Sequence, residues 1–289
     1  DYYYKKTKNM LMNVSLPAGA AAATSIARNE GEMVNKGFEF SISSKNFRGG
    51  AFTWDTDFNI SFNRNKLTKL ELQKVYYDAK TADVVNDYVV RNEPGRALGG
   101  FYGYISDGVD PETGELMYRD LNHDGKISSS DRTYIGDPNP DIYGNFNLNF
   151  RWRDLELGAL FTYSLGNDAY NALRANLESG NSLSNQSIAM ENRWMADGQV
   201  TDIPRATYDD PMGNARFSDR WIEDASYLKF KRLMLSYRVP VRSTSFLQGV
   251  SVWAAVNNLC TLTKYLGTDP EFSYNQSVLY QGVDAGVTP

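Results

Sequence analysis

The residues best equipped to do chemistry sit in one contiguous run: Asp120-Leu121-Asn122-His123-Asp124-Gly125-Lys126-Ile127-Ser128-Ser129-Ser130-Asp131. Its spacing fits the twelve-residue calcium loop, in which hard oxygen donors recur at alternate positions around a cation. Asp120, Asn122 and Asp124 supply side-chain oxygens at positions one, three and five, and Gly125 at six permits the sharp turn. Lys126 offers its backbone carbonyl, Ser128 a hydroxyl or a bridging water, Ile127 an apolar anchor and Asp131 the closing carboxylate. The departure is Asp131 itself, which reaches less far than the glutamate that normally binds there with both oxygens. No strong helical periodicity flanks the run, so the expected role is a static calcium crosslink within a loop. The metal-free alternative is a polar turn rich in Asp, Asn and Gly.

Little else in the chain points to reactivity. The single histidine, His123, rules out multi-histidine metal sites, and the single cysteine, Cys260, cannot form an internal disulfide. Adjacent carboxylates such as Asp209-Asp210 and Glu223-Asp224 point in different directions, and nothing sets a pair across a substrate. No Ser/His/Asp order and no phosphate-cradling glycine motif is present, so catalysis is not expected. Trp194, Tyr208 and Trp221 lie in one long polar segment, where exposed rings can stack on a substrate such as a sugar or pack against a partner; ordinary loop packing is the competing role.

The elements that must position these residues are strands. The chain has 289 residues with 19 Tyr, 14 Phe and 5 Trp, and its large apolar residues recur at every second position. Between Ala51 and Arg64, Phe52, Trp54, Phe58, Ile60 and Phe62 share one face, while Asp55, Asp57, Asn59, Ser61 and Asn63 share the other. Further alternating runs start at Tyr2, Phe38, Ile142, Leu155, Leu228 and Val250, giving seven strands. Leu228 and Phe230 are out of phase with Leu233, Leu235 and Tyr237, which predicts a β-bulge near Lys231 and Arg232. These runs are longer than ordinary soluble strands and approach the 9 to 11 residues, approximately, that cross hydrocarbon at a tilt. Connections alternate as well. Asn46–Gly50, Arg153–Asp154 and Pro240–Gln248 are short, while Asn13–Val34, Lys66–Asp141 and Asn167–Ala225 are long. That asymmetry predicts an all-β transmembrane antiparallel barrel, its long loops on the extracellular side. A secreted soluble calcium-binding β-domain that binds glycans shares the alternation and is the alternative; a glycoside hydrolase is a more distant one. No run of apolar residues is long enough for a membrane helix, and the mean hydropathy is −0.49. With a net charge of −5 and a pI of about 5.1, nucleic acid is not an expected partner. By parity an eighth strand should return after the run from Val250, yet the sequence closes on Gly286-Val287-Thr288-Pro289, so residues 1–289 are expected to be an incomplete part of a larger barrel.

Several motifs, in this order and spacing, resemble the SusC/RagA-type TonB-dependent outer-membrane transporters. They are Tyr2-Tyr3-Tyr4-Lys5-Lys6-Thr7-Lys8, Asn35-Lys36-Gly37-Phe38-Glu39, Gly99-Gly100-Phe101-Tyr102-Gly103-Tyr104, the loop from Asp120 to Asp131 followed by Ile135-Gly136-Asp137-Pro138-Asn139-Pro140, Ser218 to Leu228, Asn257-Asn258-Leu259, and Gly267-Thr268-Asp269-Pro270-Glu271. The resemblance implies the C-terminal part of a barrel of about 22 strands, in a bacterial outer membrane, with the plug domain and final strand outside the sequence. It further implies import of bulky nutrients, oligosaccharides or peptides, energised by the TonB complex, with a SusD-like surface lipoprotein as partner. The apolar faces would then meet outer-membrane lipid, and Asp55, Asp57, Asn59, Asn145, Asn147 and Asn149 would line the lumen.

Overall fold

The structure, a computed structural model, describes residues 1–15, 25–70, 75–77, 89–241, 249–272 and 281–286. Seven long strands form one antiparallel meander in sequence order: β1 (Tyr2–Ser15), β2 (Ser25–Gly49), β3 (Phe52–Leu70), β4 (Ile142–Trp152), β5 (Leu155–Leu165), β6 (Tyr227–Val239) and β7 (Val250–Thr263). All seven strands expected from the alternation are present. Two of the short connections are the tight turns they resemble: Gly50 and Ala51 join β2 to β3, and Arg153 and Asp154 join β4 to β5, with Gly50 and Arg153 in the left-handed region. The third, Pro240–Gln248, lies for the most part outside the described residues, as does the end of the chain from Val287. The bulge is also present. Phe161 pairs with Phe230 and Leu160 with Arg232, leaving Lys231 as the extra residue.

Strand register assigns the two faces. Ile42, Phe58, Phe146, Phe161, Phe230 and Cys260 form one continuous row across six strands on the apolar face. Its rings stack laterally, with centroids 4.5 Å apart for Phe146–Phe161 and 4.3 Å for Phe161–Phe230. Aromatic pairs of this kind stabilise a sheet beyond their burial. Yet the face has no protein over it: Phe38 is 50% exposed and Val252 60%. A soluble sandwich would bury such a row, so this exposure fits a sheet whose apolar side meets lipid. Among the described residues no helix is long and apolar enough to cross a membrane.

One expected loop is mostly strand. Of Asn13–Val34, β1 extends to Ser15 and β2 starts at Ser25, paired from Ser15↔Ser25 onward. Likewise β3 continues to Leu70, paired with Gly31 of β2. The alternation fades there because β4 pairs with β3 only as far as Ser61. Past the Phe38–Phe62 pair just beyond that point, both faces of the ribbon are free to be polar.

The two long connections fold into a separate cap. Phe101–Gly103 pairs with Val90–Asn92 and Thr133–Gly136, and Asp168–Asn171 is flanked by Ile222–Asp224 and Val283–Asp284. Val90, Phe101, Tyr170, Phe217, Trp221 and Val283 form its fully buried core. A short helix, α1 (Ala172–Glu178), is capped by the Asn171 side chain, which accepts the Arg174 N–H. Arg174 then bridges Glu178 and Glu223 inside the cap, each at 2.9 Å.

Candidate functional site

The polar face of the sheet and the underside of the cap enclose a cavity of about 710 Å³. Strand period two builds its wall. Asn59, Ser61, Asn63 and Asn65 are alternate residues of β3, Tyr143 and Asn145 of β4, and Thr162 and Ser164 of β5. Leu98, Asn139 and Pro140 approach from the cap. The amides are mutually oriented. Asn59 Nδ2 donates to Asn145 Oδ1 at 2.9 Å while the Asn145 backbone N–H donates to Asn59 Oδ1 at 3.1 Å. Asn65 Nδ2 donates to Asn139 Oδ1 at 2.7 Å, and the Tyr3 hydroxyl donates to Asn63 Oδ1 at 2.9 Å. The wall is therefore a preorganised array of neutral donors and acceptors.

Among the described residues that line the cavity, the charged one, Glu271, belongs to a closed network. Lys229, whose side chain is 2% exposed, donates to Asp269 at 2.7 Å and to Glu271 at 2.9 Å, and Lys231 also meets Glu271. Burial pushes the Glu271 carboxyl up, but the hydrogen bonds from Lys231 and Lys229 outweigh it and hold the group below its ordinary value. The network straps the segment around Glu271 to β6. Nearer the short turns the same face becomes charged, with Arg48, Asp55, Arg151 and Glu156 around a smaller pocket.

The cation-loop residues are brought together as a tight turn. Asp120 accepts the His123 N–H at 2.7 Å and the Gly125 N–H at 2.8 Å, Asn122 accepts that of Asp124, and Asp124 that of Lys126. Gly125 adopts φ +77°, the conformation for which the sixth position needs glycine. Asp131 is fully buried and works as a clasp, one oxygen accepting the Leu121 N–H and the other the Ser128 N–H. That Ser128 contact is the main reason its carboxyl sits below the ordinary value. The donor set is all hard oxygen, as calcium requires, with lone pairs left over on Asp120, Asn122 and Asp124. No three His, Cys, Asp or Glu side chains converge on one point among the described residues, so the loop is closed by its own N–H groups rather than by converging acids.

The three loop aromatics do not assemble. Trp221 is 1% exposed, a core residue of the cap whose Nε1 donates to the Arg216 carbonyl, so its expected contact with substrate is corrected. A long polar segment around a Trp reads as surface, but this one supplies the apolar centre that the cap strands need. Trp194 is half-buried, its ring against Gly114 and its Nε1 donating to the Pro111 carbonyl at 2.9 Å. Tyr208 is 72% exposed. None of the three lines the cavity. Of the expected lumen residues, Asn59 and Asn145 do line it, while Tyr143, Asn139 and Glu271 were not singled out for this role. The alternate asparagines were the available signal.

No family profile matches the chain. It is 34% identical, over 95% of its length, to the TonB-dependent receptor P3 of Formosa agariphila, and 29% identical, over 100%, to the TonB-dependent receptor SusC of Bacteroides thetaiotaomicron. The chain spans 28% of the length of each of these two proteins. Among solved structures, the RagAB peptide transporter matches the whole chain with a TM-score of 0.82 at 26% identity, the chain covering 31% of it. The same importer in its open-open state matches with a TM-score of 0.77 at 26% identity, over 98% of the chain and 30% of the importer.

Proposed function

The chain matches SusC/RagA-type TonB-dependent receptors in sequence and in fold along nearly its whole length, and from that premise we propose that it forms seven strands and the surface cap of an outer-membrane importer of bulky nutrients, oligosaccharides or peptides. The observation that carries this reading is the two-faced sheet, whose apolar rows stay exposed while its polar rows meet a cavity under the cap. In a membrane that arrangement puts lipid outside and an aqueous path inside. On this reading the chain is the C-terminal part of the barrel and its cap faces the extracellular medium. Energy comes from the TonB complex through regions outside these residues, and a SusD-like surface lipoprotein meets the cap. The RagAB structures and the receptor named SusC support the class of transporter; the substrate and the lipoprotein are part of the proposal.

The test is uptake of labelled nutrient by cells carrying the full-length protein. Loss of accumulation on deleting either the protein or TonB, with the protein recovered in the outer-membrane fraction, is the expected result. Recovery of the full-length protein in buffer without detergent would instead favour the secreted glycan-binding β-domain. A structural calcium ion held by Asp120, Asn122, Asp124, the Lys126 carbonyl, Ser128 and Asp131 belongs to the same proposal. Its contribution would be to neutralise three carboxylates and stiffen the loop, with no part in transport chemistry.

A further inference from the structure

Above its last aromatic row the lipid-side face of the sheet turns basic, and we propose that this patch binds the lipid A phosphates of an outer-leaflet lipopolysaccharide. The transport reading enters only in deciding which end of the sheet is extracellular. Register places the cations. Tyr2, Phe38 and Phe62 are cross-strand partners that close the apolar layer on β1, β2 and β3. Two residues further up, on the same face, stand Tyr4, Lys36 and Arg64, and two further again Lys6, Val34 and Lys66. Past the bulge, Lys69 pairs with Glu32, and Lys8 is close enough for its charge to act on the Glu32 carboxylate. Six exposed cations thus share one three-stranded patch. Two carboxylates stand against them among the described residues: Glu32, which Lys6 meets at 2.7 Å, and Asp141, which meets Arg64. Among those residues, Lys36 and Lys66 have no acid partner.

This concentration runs against the rest of the chain, which has 35 acidic residues to 30 basic ones. A ribbon that needs only to be wetted is served at least as well by Asp and Glu as by Lys. The inner face at the same height, apart from Lys5, has Asn35, Asn63, Asn65 and Met33 on the alternate positions of the same strands. Positive charge is therefore gathered on the side continuous with the exposed apolar rows.

The height suits a headgroup. Each step of two residues advances about 6.6 Å along a strand, hence about 5 Å along the membrane normal at a tilt of about 40°. The headgroup layer beyond the hydrocarbon is about 5 to 8 Å deep. The Lys36–Arg64 row falls within it, and the Lys6–Lys66 row stands at its outer edge, from which lysine stems reach back. Arg64 is held at the boundary, its guanidinium 4.8 Å from the centroid of the Phe62 ring. A forked donor placed there suits phosphate oxygens. Acyl chains on the Phe38–Phe62 row and phosphate on the cations above it are two contacts of one lipid molecule.

The experiment uses the full-length transporter, purified in mild detergent and washed free of lipid. It is titrated with mixed micelles containing lipid A, or the same lipid A after enzymatic removal of its phosphates. Bound lipid is counted by native mass spectrometry, and Kd is measured at low and high ionic strength. Binding of phosphorylated lipid A that weakens with salt is expected. The double variant Lys36→Gln, Lys66→Gln should raise its Kd about tenfold or more, towards that of the dephosphorylated lipid. The pair Lys5→Gln, Lys45→Gln removes the same charge from the inner face of β1 and β2 and should leave Kd unchanged. Heat-dependent migration of both variants checks that each barrel has assembled. Equal binding of the two lipids, an unaltered Kd in the Lys36→Gln, Lys66→Gln variant, or the same loss in the inner-face pair would overturn the proposal. A variant that keeps its lipid but changes its oligomeric state would overturn it too and would assign the patch to a protein partner. Failure of the transport reading would look different: the protein would be absent from the outer membrane, or uptake would persist without TonB.

Discussion

Single residues divide sharply by how far apart their partners lie in the chain. The tight turn of Asp120–Asp131 was legible because its Asp, Asn and Gly residues follow one another in sequence and the turn is made locally, while the ion it was expected to hold is still a proposal. Calorimetric titration of calcium into the wild type and Asp120→Ala is expected to give measurable heat only for the former; identical isotherms would reject the ion. Asp168 was not legible, since its environment comes from distant segments. Burial raises its pKa, the Asp137 N–H partly offsets that, and the charges of Asp137, Asp224 and Asp141 push it further up. A carboxyl with a raised folded pKa holds its proton in the folded state where the unfolded chain has lost it. It therefore favours folding at low pH and disfavours it as pH climbs through the folded value. Asp168→Asn keeps an oxygen to accept the Asp137 N–H at the cost of no charge. Proteolysis of the cap at about pH 3, where folded and unfolded carboxyls are both protonated, and at about pH 8 should show the variant gaining resistance at the higher pH alone. A gain of equal size at both values would mean that titration is not the cause.

At the scale of strands, the alternation reported the seven wall elements and their faces because one side of each must be apolar over the hydrocarbon. It failed for the upper parts of β1 to β3, where neither side is so constrained and only backbone pairing keeps the ribbon together. The face assignment makes a differential prediction. Ile60→Arg or Leu148→Arg, on the apolar face, should each cost about 2 to 4 kcal/mol of barrel stability near the midplane. Asn147→Arg, opposite Asp57 on the polar face, should be tolerated. Folding into detergent micelles followed by urea titration separates these, and equal losses in all three would refute the assigned faces. Gly144 adds a second constraint of the same kind. It pairs with Tyr163, whose hydroxyl donates to the Asn59 carbonyl at 2.9 Å. A Cβ at Gly144 would collide with that carbonyl and crowd the hydroxyl. Gly144→Ala is therefore expected to cost about 1 to 3 kcal/mol through overpacking, read in the same titration.

For the whole molecule, wall and cap solve different problems. The wall needs no buried core, because lipid covers its apolar face, and this is why a count of aromatic residues says so little about a hydrophobic interior. The cap stands in water and must bury its own centre from segments far apart in sequence, which is why reading each loop by itself gave Trp221 the wrong role. That division predicts separable failure. Trp221→Ala removes the largest fully buried side chain of the cap core and should cost about 3 to 5 kcal/mol there. The loss is expected to stay out of the stacked rows of β4 to β6, which Trp221 does not join. In whole cells the variant barrel should reach the outer membrane in normal amount and keep its heat-dependent migration. Added protease should cut it between α1 and β6 faster than it cuts the wild type. Because the cap roofs the cavity through Leu98, Asn139 and Pro140, the proposed nutrient uptake should fall as cleavage quickens. Uptake and protease resistance both at wild-type level would show that the cap does not depend on this core; a missing barrel would show that wall and cap fold as one unit.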